Sequence, residues 1–200
     1  IMAAMVLTAP FVPMLFMGEE WGATTPFQYF IDHSEAKLIK AVDEGRKREF
    51  ASFQTEGEPA PAHEEATFMA SKLDWTEISG PVHAGMFAYY QQLIRLRRGQ
   101  PALTNYDRST VQVSVDTNTS VMIVERKHET QTLYCLYNFS EATHDIKLNE
   151  TAFPASVLLS SSDQRWRGEG NADAGLRIVY PDDIISLQPE SVLILSKDHV

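Results

Sequence analysis

Cysteine is almost missing from this sequence: Cys135 stands alone in 200 residues. One thiol rules out any disulfide within the chain, and with it the stapled scaffolds of small secreted proteins. Cys135 lies in an apolar run, so a buried free thiol is expected, as suits a reducing cytoplasm. Basic charge is also in short supply. Seventeen Lys and Arg against 27 Asp and Glu leave a net charge of −10. That balance argues against nucleic acid, anionic membrane surfaces and acidic substrates, and is compatible with a neutral partner. There is no long repeat, no low-complexity tract, no Gly-rich phosphate loop, no zinc spacing and no serine–histidine–acid signature. No metal or cofactor is called for. His63 with Glu64 and Glu65 share no common face. The one tract that invites a membrane reading, residues 1–17, is at the short limit for a spanning helix. Pro10 and Pro13 interrupt it, and no basic stretch precedes it.

What the chain does have is an abrupt change of character at residues 11–33, FVPMLFMGEEWGATTPFQYFIDH. Residues 1–9 read as a helix that must be covered on all faces, ended by Pro10. The apolar run 12–17 reads as a strand buried on both faces. Gly18-Glu19-Glu20-Trp21-Gly22 then places two carboxylates and an indole at the strand's C-terminal end, where parallel α/β sheets carry their ligands. Carboxylates accept from hydroxyls and flat rings stack on pyranose faces, so this mixture suits a sugar. The candidate contacts are Glu20, Trp21, Phe27, Phe30, Asp32 and His33. Glu19 and Glu20 are adjacent and would point to opposite faces of a strand. They cannot form a catalytic pair, which needs two carboxyl groups across one bond about 5 to 9 Å apart.

Asp32 with Glu35 three residues on is a capping-box pattern that opens a helix. His33 is either a ligand contact or a hydrogen-bonded structural histidine. The helix continues through residues 37–53, with Leu38, Val42, Phe50 and Phe53 as candidate buried positions and Arg46-Lys47-Arg48 as a solvated face. Residues 54–66 form a polar surface loop. After Gly80-Pro81, Met86, Tyr90, Leu93, Ile94 and Arg97 recur at helical spacing until Gly99 and Pro101 stop the helix. Arg95, Arg97 and Arg98 near its end favour the helix dipole. From about residue 105 the rhythm changes to two. Val111, Val113 and Val115 alternate with polar residues, and runs at 121–126, 132–139 and 176–180 follow, separated by polar turns. This is the pattern of an antiparallel sandwich. Trp166 reads as a surface-loop residue, with a secondary glycan contact as the other possibility.

The segments TAPFVPMLFMGEEWG, TPFQYFIDH, GRKREF, ATFMASKLDW and the helix ending LIRLRRGQPAL, in that order, resemble the alpha-amylase-family glycoside hydrolases. Within that family they resemble the maltooligosyltrehalose trehalohydrolases. The likeness runs over about residues 1–103 and continues more weakly through LYCLYNFS and LQPESVLILS. It implies an α+β fragment. Residues 1–103 would be the last part of a catalytic (β/α)8 barrel (helix 7, strand 8, a long loop and helix 8), and residues 104–200 an all-β C-terminal domain, an antiparallel β-sandwich. Glu20 matches the family's usual acid at its position. The resemblance further implies a retaining hydrolase that cuts the α-1,4 bond next to the terminal trehalose of maltooligosyltrehalose. Its nucleophile, its acid/base and its stabilising Asp all precede this stretch, the last of them in an asparagine-histidine-aspartate motif that these 200 residues lack. No catalytic residue is therefore assigned here, and this chain alone is expected to be inactive. Its partners would be an α-glucan or maltooligosyltrehalose and the missing N-terminal part of the same chain. Glucan branching, α-glucan hydrolysis and non-catalytic glycan binding by the β-domain are the alternatives.

Overall fold

A computed structural model describes residues 1–53, 59–167 and 177–199. They fall into two compact units. One joins Ile1–Gly22 to Ile78–Val200, and the other is Ala23–Glu77. The first unit is α+β. Its helices are α1 (Met2–Thr8), α4 (Pro81–Gly99) and α5 (Pro101–Thr104). Its strands are β1 (Val111–Asp116), β2 (Val121–His128), β3 (Gln131–Asn138), β4 (His144–Ile146), β5 (Ala155–Ser160), β6 (Ile178–Val179), β7 (Ile185–Leu187) and β8 (Ser191–Asp198). The second unit holds α2 (Ala36–Ser52) and α3 (Glu65–Ala70).

Six strands pair antiparallel in the order β1-β2-β3-β8-β5-β6, and β4 pairs with β7 as a separate ribbon. The central strand β3 is buried along its whole length, because both of its faces are covered. Successive side chains alternate between faces. Leu133, Cys135 and Tyr137 join Val192 and Ile194 of β8 against the helices, where Ala4, Leu7, Tyr89, Leu93, Leu96 and Leu103 meet them. Tyr134 and Leu136 point the other way with Leu195, into a cluster with Ile185 and Leu187 of β7. The thiol of Cys135 is buried and free, as expected, and burial pushes its pKa up to about 12.

The expected boundary at residue 103 is not where these contacts divide. Leu93, Leu96, Ala102 and Leu103 pack on the antiparallel sheet itself, so the apolar stripe of α4 is joined to the β-region. Met86 and Ile94, expected on that stripe, are exposed; Gly85, Tyr89 and Leu96 take the inner positions. Helix α1 is not covered on all faces either: Ala4, Leu7 and Thr8 are buried while Met2 is open.

The run 12–17 also departs from expectation. It has no regular secondary structure and joins none of the described strands, and Val12 and Met14 are 80% and 88% exposed. The physical reason is the lack of neighbours. A strand's N–H and C=O groups need partners on its edges, and none of the described strands lies beside this run.

In the second unit the helix starts later than the capping-box pattern implies. Glu35 is the N-cap of α2, Asp32 lies outside it, and no side chain caps the end. None of the α2 residues is buried; Leu38 and Phe53 are exposed and Val42 and Phe50 only half-buried. Arg46, expected to be solvated, lies 5.2 Å from the ring centres of both Tyr29 and Phe50 and ion-pairs with Glu49 at 2.8 Å. Of the expected loop 54–66, residues 54–58 lie outside the described residues, as does Leu176 at the head of the expected run 176–180.

Candidate functional site

The apolar run ends in two successive tight turns. Glu19 N–H donates to Phe16 O at 3.1 Å, and Gly22 N–H donates to Glu19 O at 3.1 Å. Gly18 and Gly22 take φ of +87° and +65°, a region that only glycine enters at no cost, which explains the glycines bracketing EEW. The two acids therefore sit on a turn and not on a strand. Glu19 is engaged through both oxygens: Oε2 accepts from Phe16 N–H at 2.8 Å and Oε1 from the Tyr90 hydroxyl at 3.0 Å. Glu20 accepts from Gly18 N–H at 3.1 Å through Oε2 alone. Backbone amides, not a basic side chain, thus account for much of the acid pair.

Trp21, expected as a ring beside a sugar, is 2% exposed, so its faces are spent on packing. Its carbonyl accepts from His83 Nδ1 at 2.7 Å, which puts the proton on that nitrogen. Burial and the Glu19 and Glu20 charges push the Tyr90 hydroxyl up to about 12, burial being the largest cause, so it stays a neutral donor.

Two buried arginines finish this region. Arg97 donates to Leu7 O at 2.6 Å, Ala9 O at 3.0 Å and Phe11 O at 2.5 Å, and its guanidinium lies 5.4 Å from the Tyr106 ring centre. Arg126 donates to Thr8 O and, at 2.5 Å, to Asn105 O. The last carbonyls of a helix have no partner within it; here guanidinium groups supply them. Arg97 answers to α1, not only to the dipole of its own helix.

The remaining candidates lie in the second unit. Phe27 and Phe30 are 51% and 36% exposed. Their rings meet edge to face at 6.1 Å, and Phe30 meets Phe68 at 5.1 Å. Asp32 and His33 are exposed on the approach to α2. Ser71 pins the Phe27–Phe30 loop: its Oγ accepts from Gln28 N–H at 3.0 Å and donates to Thr67 O at 2.9 Å. His63 pairs with Asp43 at 2.8 Å. Among the described residues no group of three or more His, Cys, Asp or Glu side chains is placed to hold a metal, and no helix is long and apolar enough to cross a membrane.

Sequence reasoning missed His83 altogether and read Tyr90 and Arg97 for apolarity and charge alone. Their spacing of seven was the available signal. Trp166, expected as a surface-loop residue, is half-buried and packs against the helix-facing core. Its Nε1 donates to Ser160 O at 2.7 Å, Tyr89 meets its ring edge to face at 5.2 Å, and Arg165 covers a face at 4.1 Å. The rest of its loop, residues 168–170, lies outside the described residues. The clefts of about 550 and 650 Å³ on the first unit contain none of the expected site residues.

No family model matches the chain. Individual relatives do. The chain is 46% identical over 115 residues to malto-oligosyltrehalose trehalohydrolase of Rhizobium sp. (strain M-11), covering 57% of this chain and 19% of that protein. It is 40% identical over 159 residues to the enzyme of the same name from Deinococcus radiodurans, covering 78% of this chain and 26% of that one. Among solved structures, a putative alpha amylase from Salmonella typhimurium matches 98% of this chain and 30% of its own, with 27% identity and a TM-score of 0.72. The alpha-amylase of H. orenii shares the fold at 16% identity, with a TM-score of 0.54 over 98% of this chain and 34% of its own. The chain is a relative of the alpha-amylase-family glycoside hydrolases. Within that class its sequence is similar to the malto-oligosyltrehalose trehalohydrolases, and it spans about a fifth to a quarter of the length of these two curated relatives.

Proposed function

We propose that the chain is the C-terminal part of a retaining glycoside hydrolase that cleaves the α-1,4-glucosidic bond next to the terminal trehalose of maltooligosyltrehalose and releases trehalose. In this reading α1 is the seventh helix of a (β/α)8 barrel, residues 12–17 its eighth strand and α4 its eighth helix, while the sheet region is the C-terminal β-sandwich. One observation carries it. An apolar run that joins none of the described strands lies exposed, and ends in a tight turn bearing Glu20, as a barrel strand's residues would without their neighbours. Glu20, Phe27, Phe30, Asp32 and His33 are the proposed substrate contacts. The three catalytic carboxylates belong to the preceding part of the enzyme, with which the run 12–17 would pair. The buried free thiol of Cys135 is in keeping with a cytoplasmic enzyme.

The test is to incubate this chain, and the longer enzyme containing it, with maltooligosyltrehalose and to measure released trehalose. The longer enzyme should be active and the chain alone silent. Trehalose released by the chain itself would overturn the placement of the catalytic groups. The 27% identity to a putative alpha amylase favours a second reading, α-glucan hydrolysis. Release of maltooligosaccharides without trehalose would select it.

A further inference from the structure

His83, Tyr90 and Arg97 are spaced by seven residues, two helical turns, and so stand in one line along α4. Each holds a different point of the preceding segment. Arg97 takes the carbonyls of Leu7, Ala9 and Phe11, Tyr90 takes the Glu19 carboxylate, and His83 takes the Trp21 carbonyl. The segment therefore runs antiparallel to α4, strapped at both ends. Two of the three straps close on the turn that carries Glu20, from either side of it in sequence. Glu19 serves as the strut: one oxygen closes the turn on Phe16, the other ties it to the helix. Glu20 keeps its Oε1 uncommitted among the described residues, as a group that meets a ligand must.

Resting on the reading that Glu20 contacts the glucan, we propose that His83 and Tyr90 are positioning residues that hold the 16–22 turn so that the Glu20 carboxylate is preset to accept from a sugar hydroxyl. A turn ordered before binding spares the ligand that ordering cost. Losing the straps weakens ground-state and transition-state binding alike, which raises KM and leaves kcat in place.

The test uses the full-length enzyme with Tyr90→Phe, His83→Ala and His83→Asn. Losing one hydrogen bond to a charged acceptor or a buried carbonyl predicts a rise in KM for maltooligosyltrehalose of about ten-fold for the first two, with kcat within about two-fold. His83→Asn should recover most of it, since an amide N–H can donate to the same carbonyl. An unchanged KM in both variants, or no rescue by Asn, overturns the proposal. A second measurement needs no substrate. In this 200-residue chain itself, carrying Trp75→Phe and Trp166→Phe, Trp21 is the sole indole, and its emission should shift to the red in Tyr90→Phe and His83→Ala. An unshifted emission overturns the strap. A parent enzyme that releases no trehalose removes the functional reading alone, and the emission still decides whether the turn is held.

Discussion

Residues 12–17 and residues 133–137 are apolar runs of nearly the same length with opposite fates. The second is the most deeply buried stretch of the molecule, while the first lies open. Composition does not separate them. What separates them is neighbours: β3 has β2 on one edge and β8 on the other, in register over eight residues each, and helices and a β-ribbon over its faces. The run 12–17 has no described strand on either edge, and α4 holds the chain only on either side of it, at Phe11, Glu19 and Trp21. An apolar run is thus a demand for partners, met in one case by the described strands and in the other not.

The comparison can be broken by mutation. The largest effect is expected for Leu136→Ala in β3, which empties a fully buried site and should cost about 3 kcal/mol in urea unfolding. Arg97→Ala, which frees the carbonyls of Leu7, Ala9 and Phe11 at and just beyond the end of α1, should cost about 2 kcal/mol by the same assay. Tyr137→Phe removes the hydroxyl that lies 2.5 Å from Thr8 Oγ1 and also meets the Cys135 thiol, and should cost about 1 kcal/mol.

An alkaline titration gives a signal from the straps. The Tyr90 pKa is raised from 10.0 to about 12, so above pH 10 the unfolded state gives up its proton first. Its contribution to stability is therefore complete below pH 10 and is lost as pH rises toward 12. Glu19→Gln should bring phenolate absorbance at Tyr90 in earlier, because it removes one of the charges opposing ionisation. Smallest of all, Leu15→Ala should change the stability of this chain by less than about 0.5 kcal/mol. The same substitution in the longer enzyme should cost about 2 kcal/mol or more if the run becomes a buried strand there. Equal small costs in both contexts would remove the barrel assignment.

The longer elements were legible because period and length agree. Val111, Val113 and Val115 alternate with polar residues, the runs at 121–126 and 132–139 follow at strand length with polar turns between them, and Gly80-Pro81 with Gly99 bracket α4 closely. The three-residue strands β4 and β7 are too short for any period to register. Asp32 misled because a capping pattern is local, whereas the start of α2 is fixed three residues further on. Glu20 was singled out by its match to the acid of the resembling family, but the turn beneath it went unread, because the two acids were placed at the end of a strand although Gly18 and Gly22 bracket them. His83 escaped because a polar residue on a helix is ordinarily solvated, and only the seven-residue interval to Tyr90 and Arg97 sets it apart. Trp21 looked like a sugar platform by chemistry alone; burial, a property of the whole unit, decided otherwise.

Cys135 supplies something the fold does not advertise. It is the chain's sole thiol, sealed at the centre of the sheet and held protonated up to about pH 12. A thiol reagent added to the native protein can reach it only when β2, β3 and β8 part. The molecule thus carries a built-in clock, in which each labelled chain records one opening of its most stable region.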